Sequence, residues 1–131
     1  MSEQTDVELE QSFKNSWVGM QIFYADIIII QERSFVIPIY RTVMILRHTG
    51  YDRKLRAGQS LDSLILSRSR LHGLRPDQPA LQIFVEEDKF TVNYFDGQSK
   101  QTMMVDATDK NLIIADELLQ LINQLVEQPL S

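Results

Sequence analysis

The last third of the chain contains three short runs in which apolar and polar residues alternate, and this pattern constrains the fold most strongly. The apolar members of the first two runs are Leu81, Ile83, Val85, Phe90, Val92 and Tyr94. The third run, "QTMMV", alternates more weakly. Alternation with a period of two is typical of strands that bury one face. Acidic "EED" joins the first two runs and Asp96-Gly97 marks the second turn, so the sequence predicts a three-stranded antiparallel meander at about 80–105.

An amphipathic helix is predicted after the meander, over about 109–127. Its apolar residues fill one half of the helical wheel, its polar residues fill the other half, and Pro129 ends it. Such a wide apolar stripe needs a broad partner surface, which is either the sheet or a second subunit. We expect this helix to pack on the sheet.

The first thirty residues are predicted to form a helix followed by a strand. Leu9, Phe13 and Trp17 recur every four residues behind a potential N-cap at Thr5, which indicates a short amphipathic helix over 5–16. The next run, at about 20–30, ends in four consecutive isoleucines, and β-branched residues favour a strand. Polar "QERS" at 31–34 then predicts a loop.

The stretch 35–48 is compatible with either a helix or a strand. Its β-branched residues suit a strand, whereas Pro38 fits a first helical turn and Gly50 fits a C-cap. We favour a helix over 38–48. A further helix is expected from an N-cap near Ser60 to His72, with Gly73 in the left-handed position beyond it.

Length and composition indicate a single domain spanning 1–131, with apolar and charged contents ordinary for a soluble globule. The chain contains no cysteine, and its acidic start lacks the features of a secretory signal. The most apolar run, 18–30, is too short to span a membrane. We therefore expect a cytoplasmic α+β protein with no membrane association, in which helices cover a small antiparallel sheet.

Charge is distributed unevenly along the chain. Residues 41–75, the basic segment, contain eight basic and two acidic side chains and carry a net charge of +6. The rest of the chain holds five basic and 16 acidic residues, a net charge of −11. Such a block of like charge favours a contact with an anionic partner.

The candidate binding residues all lie in the basic segment. They are Arg53, Lys54, Arg56, Arg68, Arg70, His72 and Arg75. Arg68 and His72 share the apolar arc of the helix expected over 60–72. Because an unpaired buried guanidinium is costly, Arg68 either extends from the rim of the core to water or a carboxylate, or is held ready for an anionic ligand.

Motifs for catalysis, cofactors or metals are not evident. "RKLRAGQS" lacks the glycine spacing of a phosphate-binding loop. The two histidines, His48 and His72, are 24 residues apart and have no metal-ligand spacing. We therefore assign no catalytic residue, no metal and no cofactor, although an enzyme assembled from distant residues stays open.

The expected function is that of a small non-enzymatic binding or accessory protein whose basic segment contacts an acidic protein surface or another anionic partner. A nucleic-acid-binding regulator is the second hypothesis. A small-molecule enzyme or anion-binding domain with a pocket near Arg68 and His72 is the third. The surplus of apolar surface on the predicted elements also favours self-association, and we expect a homodimer.

Overall fold

The computed structural model describes residues 5–71 and 77–131. Within them the helices are α1 (Asp6–Ile29), α2 (Ile37–His48) and α3 (Asp116–Val126). The strands are β1 (Arg56–Ser60), β2 (Ser63–Ser67), β3 (Ala80–Glu86), β4 (Lys89–Phe95) and β5 (Lys100–Asp106). Two short 3₁₀ turns, Ser34–Val36 and Tyr51–Arg53, precede α2 and β1.

The five strands form one antiparallel sheet in chain order, with each strand paired to the next. The α+β class and the predicted meander are confirmed, because β3, β4 and β5 cover 80–106. One face of the sheet is apolar and buried, and we call it the inner face. Its buried residues are Leu64, Leu66, Leu81, Ile83, Phe90, Val92, Tyr94 and Val105.

All three helices contribute to the core on this inner face. α3 packs on β3, which confirms the predicted position of the C-terminal helix. α1 packs against α2 and along β1. The indole of Trp17 donates to the Leu55 carbonyl over 2.8 Å, and the Ala57 amide donates to Ser16 Oγ over 2.9 Å. The outer edge of β1 is therefore covered by α1.

The strand predicted at about 20–30 is wrong, because α1 continues without a break to Ile29. Trp17, Tyr24 and Ile27 are buried and lie on one helical face, whereas Ile29 and Ile30 are exposed. Strand propensity of β-branched residues is weak, and packing against α2 and β1 overrides it here.

The helix predicted over 60–72 is also wrong, because its first part forms a hairpin between β1 and β2. Ser60 pairs with Ser63 across the turn instead of capping a helix. Leu64 and Leu66 alternate toward the core, a period of two that the short apolar run could not distinguish from a helical pattern. Leu61, at the turn, has a positive φ of 55° and is 89% exposed.

The remaining helix boundaries are mostly as predicted. α2 begins one residue before Pro38, and Gly50 adopts a left-handed φ of 93° beyond its end. The Thr5 hydroxyl accepts from the Glu8 amide over 3.1 Å, so Thr5 caps α1 as expected. The C-terminal helix is shorter than predicted. It begins at Asp116, because the chain over 109–115 is irregular and Leu112 has a positive φ of 62°.

Candidate binding surface

Four basic residues are brought to one corner of the molecule by the pairing of β1 with β2. Arg56 lies opposite Ser67 in this pair, so the chain just before β1 lies beside the chain just after β2. Arg68 Nη1 donates to the Lys54 carbonyl over 2.5 Å, a direct link between the two segments. We call Arg53, Lys54, Arg68 and Arg70 the basic corner.

Arg68 is partly buried and bonded to main-chain carbonyls. Besides its bond to Lys54, its Nε donates to the Gln128 carbonyl over 2.9 Å. Burial of the guanidinium lowers the pKa of Arg68. The C-terminal segment is also held here, because the Ser131 amide donates to the Arg68 carbonyl and the Arg70 amide donates to the Ser131 carbonyl. Arg68 thus joins three chain segments.

Arg56 does not lie on the surface of this corner, although the sequence grouped it with the partner-binding residues. It is only 5% exposed. Its guanidinium donates to the carbonyls of Ser69 and Arg70 and to Ser12 Oγ, at 2.9, 2.7 and 3.0 Å. The guanidinium also lies 5.2 Å from the centre of the Phe13 ring. These contacts hold the segment after β2 against β1 and α1.

The environment of Arg56 contains no compensating carboxylate among the residues described. Its Nη1 atom is buried without a hydrogen-bond partner there. Burial lowers the pKa of Arg56. Main-chain carbonyls instead supply the negative end of local dipoles around the charge. No feature of "RAGQS" signals this role, because the contacting atoms come from α1 and from the segment after β2.

Three cations of the corner are exposed, namely Arg53, Lys54 and Arg70. In the described part of the chain, the one ion pair within 4.0 Å joins Lys89 on β4 to Asp106 on β5. The Lys54 ammonium lies 5.8 Å from the centre of the Tyr51 ring. The exposed cations are therefore not neutralised by contacts with carboxylates of the described residues.

A cleft of about 290 Å³ adjoins the corner, between the start of α1 and the basic side chains. Its lining residues are Asp6, Val7, Leu9, Glu10, Phe13, Arg53, Arg68 and Leu130. The cleft has an apolar floor and charges of both signs at its rim, so it is not a purely cationic pocket.

Arg47 lies away from this corner, and two of the candidate binding residues fall outside the described ranges. Arg47, on α2, donates to Gln21 Oε1 over 2.7 Å, near the middle of α1. His48 is exposed at the end of α2. His72 and Arg75 lie outside the described residues, as does Gly73. The predicted pocket near Arg68 and His72 is therefore described only on its Arg68 side.

Neither a cluster of metal-ligating side chains nor a helix able to span a membrane occurs in the described ranges. Residues 5–71 and 77–131 contain no group of three or more histidine, aspartate or glutamate side chains placed to hold a metal ion. None of the helices described here has the length and hydropathy needed to cross a membrane.

Comparisons with family models, curated proteins and solved structures give no match for this chain.

Proposed function

We propose that this chain is a small non-enzymatic binding or accessory protein whose basic corner contacts an acidic protein surface. The observation that carries the proposal is the exposure of Arg53, Lys54 and Arg70 without a carboxylate of the described residues within 4.0 Å. Exposed, unpaired cations are free to attract an oppositely charged surface over a distance of about one Debye length.

The hydrogen bonds of Arg56 and Arg68 support the same proposal. Arg56 and Arg68 use their donors on main-chain carbonyls, which links the segments that carry Arg53, Lys54 and Arg70. A fixed backbone lowers the entropy lost when the exposed side chains engage a partner. Arg56 and Arg68 thus fix the backbone segments that carry the three exposed cations.

An acidic protein surface fits the corner better than single-stranded nucleic acid does. Binding of single-stranded nucleic acid relies on exposed aromatic rings beside the cations. Tyr51 is only partly exposed, and its hydroxyl donates to Asn123 Oδ1 over 2.7 Å. Tyr40 packs against the core. Neither Tyr51 nor Tyr40, which directly precedes the basic segment, is therefore presented for base stacking.

Binding to poly-L-glutamate, a simple acidic polypeptide, tests the proposal. We expect the double variant Arg53→Glu/Lys54→Glu to bind at least about tenfold more weakly than wild type, with binding that weakens as salt is added. The matched control is Arg33→Glu/Lys110→Glu, which changes net charge equally at exposed sites outside the basic segment. Equal loss in both variants would show that net charge alone matters. Tighter binding to duplex DNA than to polyglutamate would favour the nucleic-acid hypothesis.

We also propose that the protein is a homodimer, as its sequence predicts, but that its interface is not the apolar surface from which the sequence predicts it. Leu9, Phe13 and Trp17 are buried within one chain, and so are four apolar residues of α3. Most of the apolar surplus is therefore accommodated in the single subunit. The basis for self-association lies instead at the open edge of the sheet.

A further inference from the structure

The two edges of the sheet differ in how they are protected. α1 covers β1, and Ser16 takes up the outward amide of Ala57. β5 ends the strand order at the opposite edge, and within residues 5–71 and 77–131 no other strand pairs with its outer side. An uncovered edge presents a row of main-chain donors and acceptors to any extended segment.

The alternation of hydrogen bonds between β5 and β4 identifies which residues of β5 direct their main-chain donors and acceptors outward. The Asp96 amide donates to the Ser99 carbonyl before β5, and the Ala107 amide donates to the Asp88 carbonyl after it. Hydrogen-bonded pairs alternate with non-bonded pairs along an antiparallel ladder, so the odd-numbered residues of β5 bond to β4. The even-numbered residues, Lys100, Thr102, Met104 and Asp106, direct their amides and carbonyls outward.

This edge lacks the usual devices that prevent strand addition. β5 contains no proline, and its seven residues pair with β4 in unbroken register, without a bulge. Met104, near the middle, is exposed, and charges occur only at the two ends of the strand. Lys100 stands at one end and Asp106 at the other.

We propose that two copies of the chain pair antiparallel through β5, about a twofold axis at Met103, to form a continuous ten-stranded sheet. In this register Lys100 lies opposite Asp106 of the second copy, and Thr102 lies opposite Met104 of the second copy. All four outward residues of each strand then meet an outward residue, which gives eight main-chain hydrogen bonds. The inference rests on the proposed homodimer and is independent of the basic corner.

Charge complementarity selects a second copy and this register. The opposite charges at the ends of β5 match only when the strand meets its own sequence in reverse. A shift of two residues separates Lys100 from Asp106 of the second copy at both ends of the pair and removes hydrogen bonds. Asp106 binds Lys89 of its own chain through Oδ1, so Oδ2 stays available to Lys100 of the second copy. Directly opposed unlike charges stabilise a strand pair, and like charges destabilise it.

Mixing two charge variants tests the register. We expect wild type at micromolar concentration to have twice the 15.2 kDa mass of one chain by light scattering after size exclusion. Lys100→Asp and Asp106→Lys should each dimerise about tenfold more weakly, because each places like charges opposite one another at both ends. An equimolar mixture of the two variants should dimerise more tightly than either variant alone, since every pair opposed across the interface is again unlike.

A proline variant tests the edge itself. Met104→Pro removes an amide that β4 does not use, so the folded subunit should persist while dimerisation is lost. Met104→Ala, which retains the amide, is the matched control and should remain dimeric. Circular dichroism confirms folding, and failure of Met104→Pro to fold leaves the mixing experiment decisive.

Three results would overturn the inference. A wild-type mass of one chain, unchanged at high concentration, removes the homodimer together with its interface. A dimer that survives both charge substitutions and Met104→Pro retains the homodimer but places its interface elsewhere. Charge variants that fail to dimerise both alone and when mixed contradict the register. Polyglutamate binding is measured separately, so it tests the proposed role of the basic corner independently of the dimer.

Discussion

Replacement of Arg56 by alanine is expected to lower the free energy of unfolding by about 2–4 kcal/mol. The substitution leaves the Ser69 carbonyl without its donor at a buried site, a loss of about 1–3 kcal/mol. It also removes the bonds to the Arg70 carbonyl and Ser12 Oγ and the contact with Phe13, which together contribute about 1–2 kcal/mol.

The total is smaller than a simple sum over all contacts, because the substitution also removes the desolvation cost of a buried charge. That cost is real here, since Nη1 of Arg56 has no hydrogen-bond partner in the described part of the chain. A loss of about 2–4 kcal/mol is still large beside the roughly 5–15 kcal/mol by which a domain of this size is stable.

Urea unfolding at pH 7, followed by far-ultraviolet circular dichroism, measures the effect. Arg53→Ala is the control, because an exposed side chain without an ion pair should change the free energy of unfolding by less than about 0.5 kcal/mol. A change below about 0.5 kcal/mol in Arg56→Ala would refute the structural role of Arg56. If that equally stable variant also lost polyglutamate binding, Arg56 would belong to the binding surface instead.

Two further predictions concern the turns. Leu61→Gly should raise the free energy of unfolding by about 0.5–1 kcal/mol in the same urea assay. Glycine relieves the left-handed strain at φ 55°, and removal of the exposed leucine side chain costs little packing. A lower free energy of unfolding would show that the Leu61 side chain makes a stabilising contact. Amides of Ser99 and Gln98 lower the pKa of the Asp96 carboxyl, so its stabilising effect is present above the unfolded-state pKa and is lost as pH falls through the lower folded-state pKa. Urea unfolding between pH 2 and 7 should therefore show a weaker acid dependence for Asp96→Asn than for wild type, and an unchanged dependence would contradict the turn assignment.

Elements whose signals are local could be predicted from the sequence. The meander follows from a period of two joined by turn residues, and its register needs no information from other parts of the chain. The cap at Thr5 and the left-handed Gly50 follow from side-chain and backbone chemistry within a few residues. α3 is predictable because its apolar stripe is long enough for a helical period to be unambiguous.

Elements whose form depends on distant packing could not be predicted in the same way. The run 20–30 became helical because one of its faces meets α2 and β1, whereas its β-branched composition alone favoured a strand. The run 63–67 is short enough to match both periods, and its pairing with β1 and β3 made it a strand.

The sequence by itself determined the α+β class, the meander, the helix at the C-terminus and the uneven division of charge along the chain. The tertiary structure decided which basic residues are exposed. Arg53 and Arg56 are three residues apart, yet Arg53 is exposed and Arg56 is buried against Ser12, 44 residues away in the chain. Whether a charge is buried depends on the atoms that surround it after folding, and those atoms come from segments that no local pattern connects.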